Sequence, residues 1–154
     1  MPIVIDTKTK KPIIISTGIA DQTDIKLAIK QCLLNKNNKI ILLNCISSYP
    51  AKEEDLNLSL IPILAKKYKC EVGYSGHESS VSPTIGACYM GAKFVERHIT
   101  LDRAMWGTDQ SASLSPDGLK NLVNMIRKIT IIKGDGKKRI LEDEKNKSKE
   151  LRYW

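Results

Sequence analysis

The chain has 154 residues, 42% of them hydrophobic and 27% charged, with a formal net charge of +8. That length and mixture suit one globular domain with a sizeable core and exclude a disordered polar segment. No window approaches the roughly 20 apolar residues of a membrane span. Six of the eight net charges fall from Lys120 onward, where eleven Lys and Arg face five Asp and Glu without any nucleic-acid motif. This basic end reads as solvated surface rather than a nucleic-acid site, and its field would favour an anionic substrate.

From the start, Met1 to Lys11 lacks the cationic head and long apolar stretch of a signal peptide, so the expected location is cytoplasmic. Pro12 to Thr17 is a β-branched run closed by Gly18, the pattern of a fully buried strand. A helix capped by Asp21 or Thr23 follows, with Ile25, Ala28, Ile29, Cys32 and Leu33 as its apolar stripe. Lys39 to Cys45 forms a second buried strand. After a loop, a helix is expected from about Asn57 to Tyr68, with Leu60, Ile61, Leu64 and Ala65 turned inward and Pro62 in its first turns. Cys70 to Ser75 is the third strand. The next helix, Ser82 to Met90, has Ser82 as its expected cap and Pro83 at its first position. Lys93 to His98 is the fourth strand, and a long loop, Ile99 to Leu114, leads to the helix start Ser115-Pro116. There Leu119, Leu122, Val123, Ile126 and Ile129 recur at helical spacing. Gly134-Asp135-Gly136 interrupts the chain, dividing residues 1–133 from a charged tail, 134–154, expected to be irregular or a frayed helix. The four cysteines are scattered singly among apolar neighbours, which reads as free buried thiols.

Four βα units with continuous apolar strands predict parallel strands under a layer of helices. Such a chain is either a small open α/β sheet or half of an eight-unit barrel. In these folds functional groups gather just past the carboxyl ends of the strands. Ser16-Thr17-Gly18, Asn44 to Tyr49, Ser75 to Glu78 and Glu96 to His98 all fall there. The chain has only two histidines, and both sit at those ends on adjacent strands. His77 and His98 could converge on one divalent ion such as Mn²⁺, Fe²⁺, Co²⁺ or Mg²⁺, leaving positions open for water and substrate. Alternatively, each caps its own strand. Glu96 shares a strand face with His98 and suits acid/base work or a sugar hydroxyl, or a plain salt bridge. Asp109 lies in the loop at the same end, as do Asp102 and Arg103.

The segments Lys11-Pro-Ile-Ile-Ile-Ser-Thr-Gly18, Ser47-Ser-Tyr-Pro50, Gly73-Tyr-Ser-Gly-His77 and Glu96-Arg-His-Ile-Thr-Leu-Asp102 resemble the sialic acid synthase family in order and spacing. Trp106-Gly-Thr-Asp109 and Ser111-Ala-Ser-Leu114 extend the resemblance, which runs from about Lys11 to Arg139. It implies a (β/α)₈ barrel enzyme, here its C-terminal half, that condenses phosphoenolpyruvate with N-acetylmannosamine or a related amino sugar. The implied cofactor is Mn²⁺ or Mg²⁺ on His77 and His98. Ser16, Ser47, Tyr49 and Ser75 match positions lining the phosphoenolpyruvate site, while Glu96, His98 and Asp109 match catalytic positions near the metal-bound water or the sugar. Ser47 stands where some members have Asn, and Gly76 where other branches have Asp; the Gly-His-Glu form resembles the animal-type branch. The family's first four strands and its small antifreeze-like domain have no counterpart here. Activity would therefore require the N-terminal half-barrel or self-association. The competing readings are a half-barrel without activity of its own and a basic nucleic-acid-binding module.

Overall fold

The computed structural model describes residues 10–152. Most of Met1 to Lys11, read above for the absence of a signal peptide, lies outside the described residues, as do Tyr153 and Trp154. Four parallel strands, β1 (Ile13–Ser16), β2 (Ile40–Cys45), β3 (Glu71–Gly76) and β4 (Val95–Arg97), pair in chain order. The connecting helices are α1 (Gln22–Leu34), α2 (Leu60–Tyr68) and α3 (Ser82–Tyr89). After β4 come α4 (Pro116–Lys133) and α5 (Glu142–Leu151). This is half of a (β/α)₈ barrel, with β1 and β4 as its two edges among the described residues.

The core lies between the sheet and the helices. Ile40 and Leu42 of β2 and Val72 and Tyr74 of β3 meet Ile25, Ile29 and Cys32 of α1, Ile61 and Leu64 of α2 and Ala87 of α3. Each fully buried aliphatic chain contributes about 1.5–3 kcal/mol. Strand alternation sends Ile41, Leu43 and Cys45 to the opposite, barrel-interior face, and all six residues of β2 are buried. Gly73 has a packing reason on that face. A Cβ there would come within 2.6 Å of Leu43 Cδ2 and of the Phe94 carbonyl oxygen.

Local chemistry sets the element boundaries. Asp21, not Thr23, caps α1: its Oδ1 accepts from the backbone N–H groups of Thr23 and Asp24, and Asp24 Oδ2 accepts from the Asp21 N–H. Helix α2 starts at Leu60 rather than Asn57, because Asn57 adopts a left-handed φ of 43° and the chain turns through i→i+3 bonds before the helix begins. Pro62 is thereby its third residue, where the missing N–H costs nothing. In α3, Val81 occupies the cap and Ser82 the first turn, with Pro83 second; the Ser82 hydroxyl pairs with Ser80 instead of capping. Strand β4 is shorter than expected because its partner β3 ends at Gly76. Leu33 is 53% exposed, on the flank of the α1 stripe rather than in it. Ser115 caps α4 as expected, and of the α4 stripe Leu122 and Ile129 are buried. The tail forms the helix α5, with no buried residue. Among the described residues, no helix is long and apolar enough to cross a membrane.

Candidate active site

The ladder between β3 and β4 ends at the pair Gly76–Arg97, and each strand delivers a histidine one residue later. Alternation turns His77 and His98 to the barrel-interior face, with Ser75 and Glu96. The two ring centroids lie 5.2 Å apart, with planes inclined at 56°. Tyr49, from the loop after β2, stacks 4.2 Å from His77 and meets His98 edge-on at 5.7 Å. The Tyr49–Pro50 peptide is cis. His77 is 4% exposed, and its Nδ1 lies 2.7 Å from the Ile46 carbonyl oxygen. A carbonyl only accepts, so Nδ1 is the donor, and the tautomer that this contact selects has its lone pair on Nε2. Cys45 Sγ lies 3.9 Å from the same Nδ1.

His98 is half-buried and its Nδ1 lies 4.0 Å from Asp109 Oδ2. The loop bearing Asp109 is closed at its base: the Leu114 N–H donates to the His98 carbonyl and the Thr100 N–H to the Leu114 carbonyl. Within it, the Thr108 hydroxyl donates to Asp109 Oδ1 and the Ser113 hydroxyl to the Asp109 carbonyl. Asp102 is a turn residue, its Oδ1 accepting from the Ala104 N–H, and Arg103 donates to the Ser111 carbonyl. Ser75 donates to Glu96 Oε1 at 2.7 Å. Ser16 ends β1 on the interior face, exposed. Ser47 is exposed too, with its hydroxyl in the space that a Cβ on Gly18 would need. Burial first, then the charges of Cys45, Asp109 and Glu96, pushes the Tyr49 hydroxyl above its ordinary pKa.

The residues fit a divalent ion in part. The contact of His77 Nδ1 with Ile46 directs Nε2 to any ligand, and a centroid separation of 5.2 Å is compatible with two nitrogens each about 2.0–2.1 Å from one ion. No set of three metal-ligating side chains converges among the described residues, so two imidazoles leave most coordination positions open.

Behind the histidines lies a buried ion pair that no motif in the sequence marks. Arg97 alternates away from His98 into the helix layer, where its Nη1 donates to Glu78 Oε1 at 2.7 Å. The two side chains are 2% and 0% exposed. Arg97 also donates to Thr84 Oγ1 and to the carbonyls of Ser80 and Glu78. Glu78 further accepts from the Tyr74 and Thr84 hydroxyls. Burial pulls the Arg97 guanidinium below its ordinary pKa, opposed by Glu78. Burial, then the Glu78 charge, pushes Tyr74 far above its own. The available signal was strand parity: an arginine opposite in direction to two site residues must enter the helix layer, where a charge requires a partner.

Fold and site together place the candidate residues at the carboxyl ends of the four parallel strands of a half-barrel. The chain matches the NeuB family model over residues 4–138 and belongs to that family. It is 37% identical to an N,N'-diacetyllegionaminic acid synthase of Legionella pneumophila, over 88% of this chain and 39% of that protein. The human N-acetylneuraminate-9-phosphate synthase is also 37% identical, over 89% of this chain and 38% of that one. The crystal structure of an N-acetylneuraminic acid (sialic acid) synthetase from Leptospira borgpetersenii, solved with citrate, superposes with a TM-score of 0.81 at 34% identity. It covers 96% of this chain and 53% of that one. The chain thus spans about two-fifths of the length of the curated relatives it matches.

Proposed function

We propose that this chain supplies the metal-holding half of a synthase active site that condenses phosphoenolpyruvate with N-acetylmannosamine or a related amino sugar. The observation that carries the reading is the approach of His77 and His98 to 5.2 Å at the ends of adjacent parallel strands. The names of the relatives, synthases of neuraminic and legionaminic acids, support the product class.

His77 and His98 would hold Mn²⁺ or Mg²⁺, which when bound supplies Lewis acidity towards a carbonyl oxygen. The Ile46 carbonyl keeps the proton on His77 Nδ1 and so keeps Nε2 available. Tyr49 packs against both imidazoles and excludes water from one side of them. Asp109, beside His98, and Glu96, held by Ser75, are the groups for proton transfer or for orienting a sugar hydroxyl. Ser16 and Ser47 offer hydroxyls to phosphate or carboxylate oxygens, with Tyr49 at the same mouth, and Ser75 would join them only by turning its proton away from Glu96. The interior face and the edges at β1 and β4 would be completed by four further strands, supplied by an N-terminal half-barrel or by self-association.

Calorimetric titration of Mn²⁺ into the wild-type chain and into His77→Ala and His98→Ala tests the reading. Binding by the wild type that is lost in both variants supports it. Equal affinity in all three proteins removes the site.

A further inference from the structure

The proposed site has a gap in its support. Backbone pairing between β3 and β4 stops at Gly76–Arg97, yet both histidines lie beyond that pair. Beyond that pair each histidine is held by a separate backbone bond, the Ala51 N–H donating to the His77 carbonyl and the Leu114 N–H to the His98 carbonyl, and neither bond joins the two histidines to each other. Two side-chain bridges join the strands near this end, one on each face, and only the one on the helix face reaches past the last pair. On the interior face Ser75 donates to Glu96. On the helix face Glu78, the residue after His77, pairs with Arg97, the residue before His98.

We propose that the buried Glu78–Arg97 pair is the positioning element that sets the His77–His98 approach. The inference rests on the functional reading above for its consequence, but on geometry alone for its content. Arg97 does more than neutralise Glu78. Its fork reaches Thr84 on α3 and the carbonyls of Glu78 and Ser80, so one planar group ties β4 to the turn leaving β3 and to the helix that follows. Glu78 is fixed in turn by Tyr74 on β3 and by Thr84. A rigid fork anchored at several points holds position better than a flexible ammonium could.

Gly76 is the second observation. A Cβ at that position would meet Glu78 Oε2 at 2.8 Å, Tyr74 Cε1 at 2.8 Å and Arg97 Cδ at 2.9 Å. The residue between the β3 ladder and His77 is therefore bare where the pair needs room. A side chain there would push against every member of the clamp.

Because the chain holds only two histidines, their ring signals can be read without ambiguity. The test is the nuclear Overhauser contact between the His77 and His98 rings in the metal-free, histidine-labelled chain, together with Mn²⁺ affinity. The variants are Glu78→Leu/Arg97→Met, which removes both charges, and Arg97→Lys and Glu78→Gln, which keep the charge or the shape. Circular dichroism selects the folded ones, and a single folded variant that lacks the fork decides the matter. The expected result is a weakened or lost ring contact and a 10–100-fold drop in Mn²⁺ affinity, the range for partners that orient ligands. Glu78→Gln, which can still accept from Arg97, should recover most of both signals. An unchanged ring contact in folded Arg97→Lys or in the folded double variant overturns the proposal. Should the ring contact weaken while His77→Ala and His98→Ala bind Mn²⁺ like the wild type, the clamp stands and the metal reading falls.

Discussion

Removing Glu78 alone should cost more stability than removing it together with Arg97. Glu78→Ala strands a guanidinium whose side chain is 2% exposed, inside a layer with no second carboxylate bonded to it among the described residues. Truncating one member of a buried ion pair typically costs about 3–5 kcal/mol, because the survivor keeps its desolvation penalty without its partner. Here the loss also deprives the Tyr74 and Thr84 hydroxyls of their acceptor. The double change Glu78→Leu/Arg97→Met removes both charges and refills the volume. Like Glu78→Ala it leaves the Tyr74 and Thr84 hydroxyls without their acceptor; beyond that it loses the Arg97 donation to Thr84 and to the carbonyls of Ser80 and Glu78, at about 1 kcal/mol each, or about 3 kcal/mol in all. Urea unfolding of the wild type, Glu78→Leu, Arg97→Met and the double variant closes a thermodynamic cycle, with Glu78→Ala measured beside them. The expected coupling is several kcal/mol, with the double variant more stable than Glu78→Ala. A double variant whose loss equals the sum of the single losses would refute the reasoning, as would a Glu78→Ala loss below about 1 kcal/mol.

Other outcomes follow from the same structure. Tyr49→Ala should weaken Mn²⁺ binding about 10-fold by releasing both imidazoles, whereas Tyr49→Phe should leave it near wild type, as read by calorimetry. Alkali should destabilise the fold: burial raises the Cys32, Cys70 and Cys88 thiols from an ordinary 9.0 and Tyr74 from 10.0. Above about pH 9 the unfolded chain sheds protons that the folded chain retains, so the urea midpoint should fall as pH rises; a flat profile contradicts this. Trp106 is 99% exposed, so Trp106→Ser should shift stability by no more than about 0.5 kcal/mol in the same assay. Ile14 on the interior face and Leu33 and Leu34 on α1 leave apolar surface open, so size-exclusion chromatography of the isolated chain should show self-association rather than a clean monomer.

The strands were legible because buried parallel strands write themselves as unbroken apolar runs, and Ile40 to Cys45 is one. Helix starts were less so. Asn57 and Ser82 are residue types that favour caps, but a left-handed turn at Asn57 and a Ser80–Ser82 contact took them elsewhere. Those choices depend on packing that no local pattern records. The approach of the His77 and His98 rings follows from their equivalent places on neighbouring strands, whereas no sequence signal pointed to the packing of Tyr49 against both of them. The Glu78–Arg97 pair stayed hidden because strand alternation turns Arg97 away from Glu96 and His98 but does not say which carboxylate meets it in the helix layer. Whether Glu96 or Glu78 would take the arginine was a question of faces, and the faces decide it: Glu96 turns inward to Ser75.

The account stands on two imidazoles sharing one ion. Pulsed electron paramagnetic resonance on Mn²⁺-loaded chain, labelled with ¹⁵N only at histidine, reads this directly, since the two labelled residues are the only histidines present. Two coupled imidazole nitrogens, reduced to one by either His77→Ala or His98→Ala, is the expected result. A bound ion with no histidine coupling, or one indifferent to both substitutions, would contradict it.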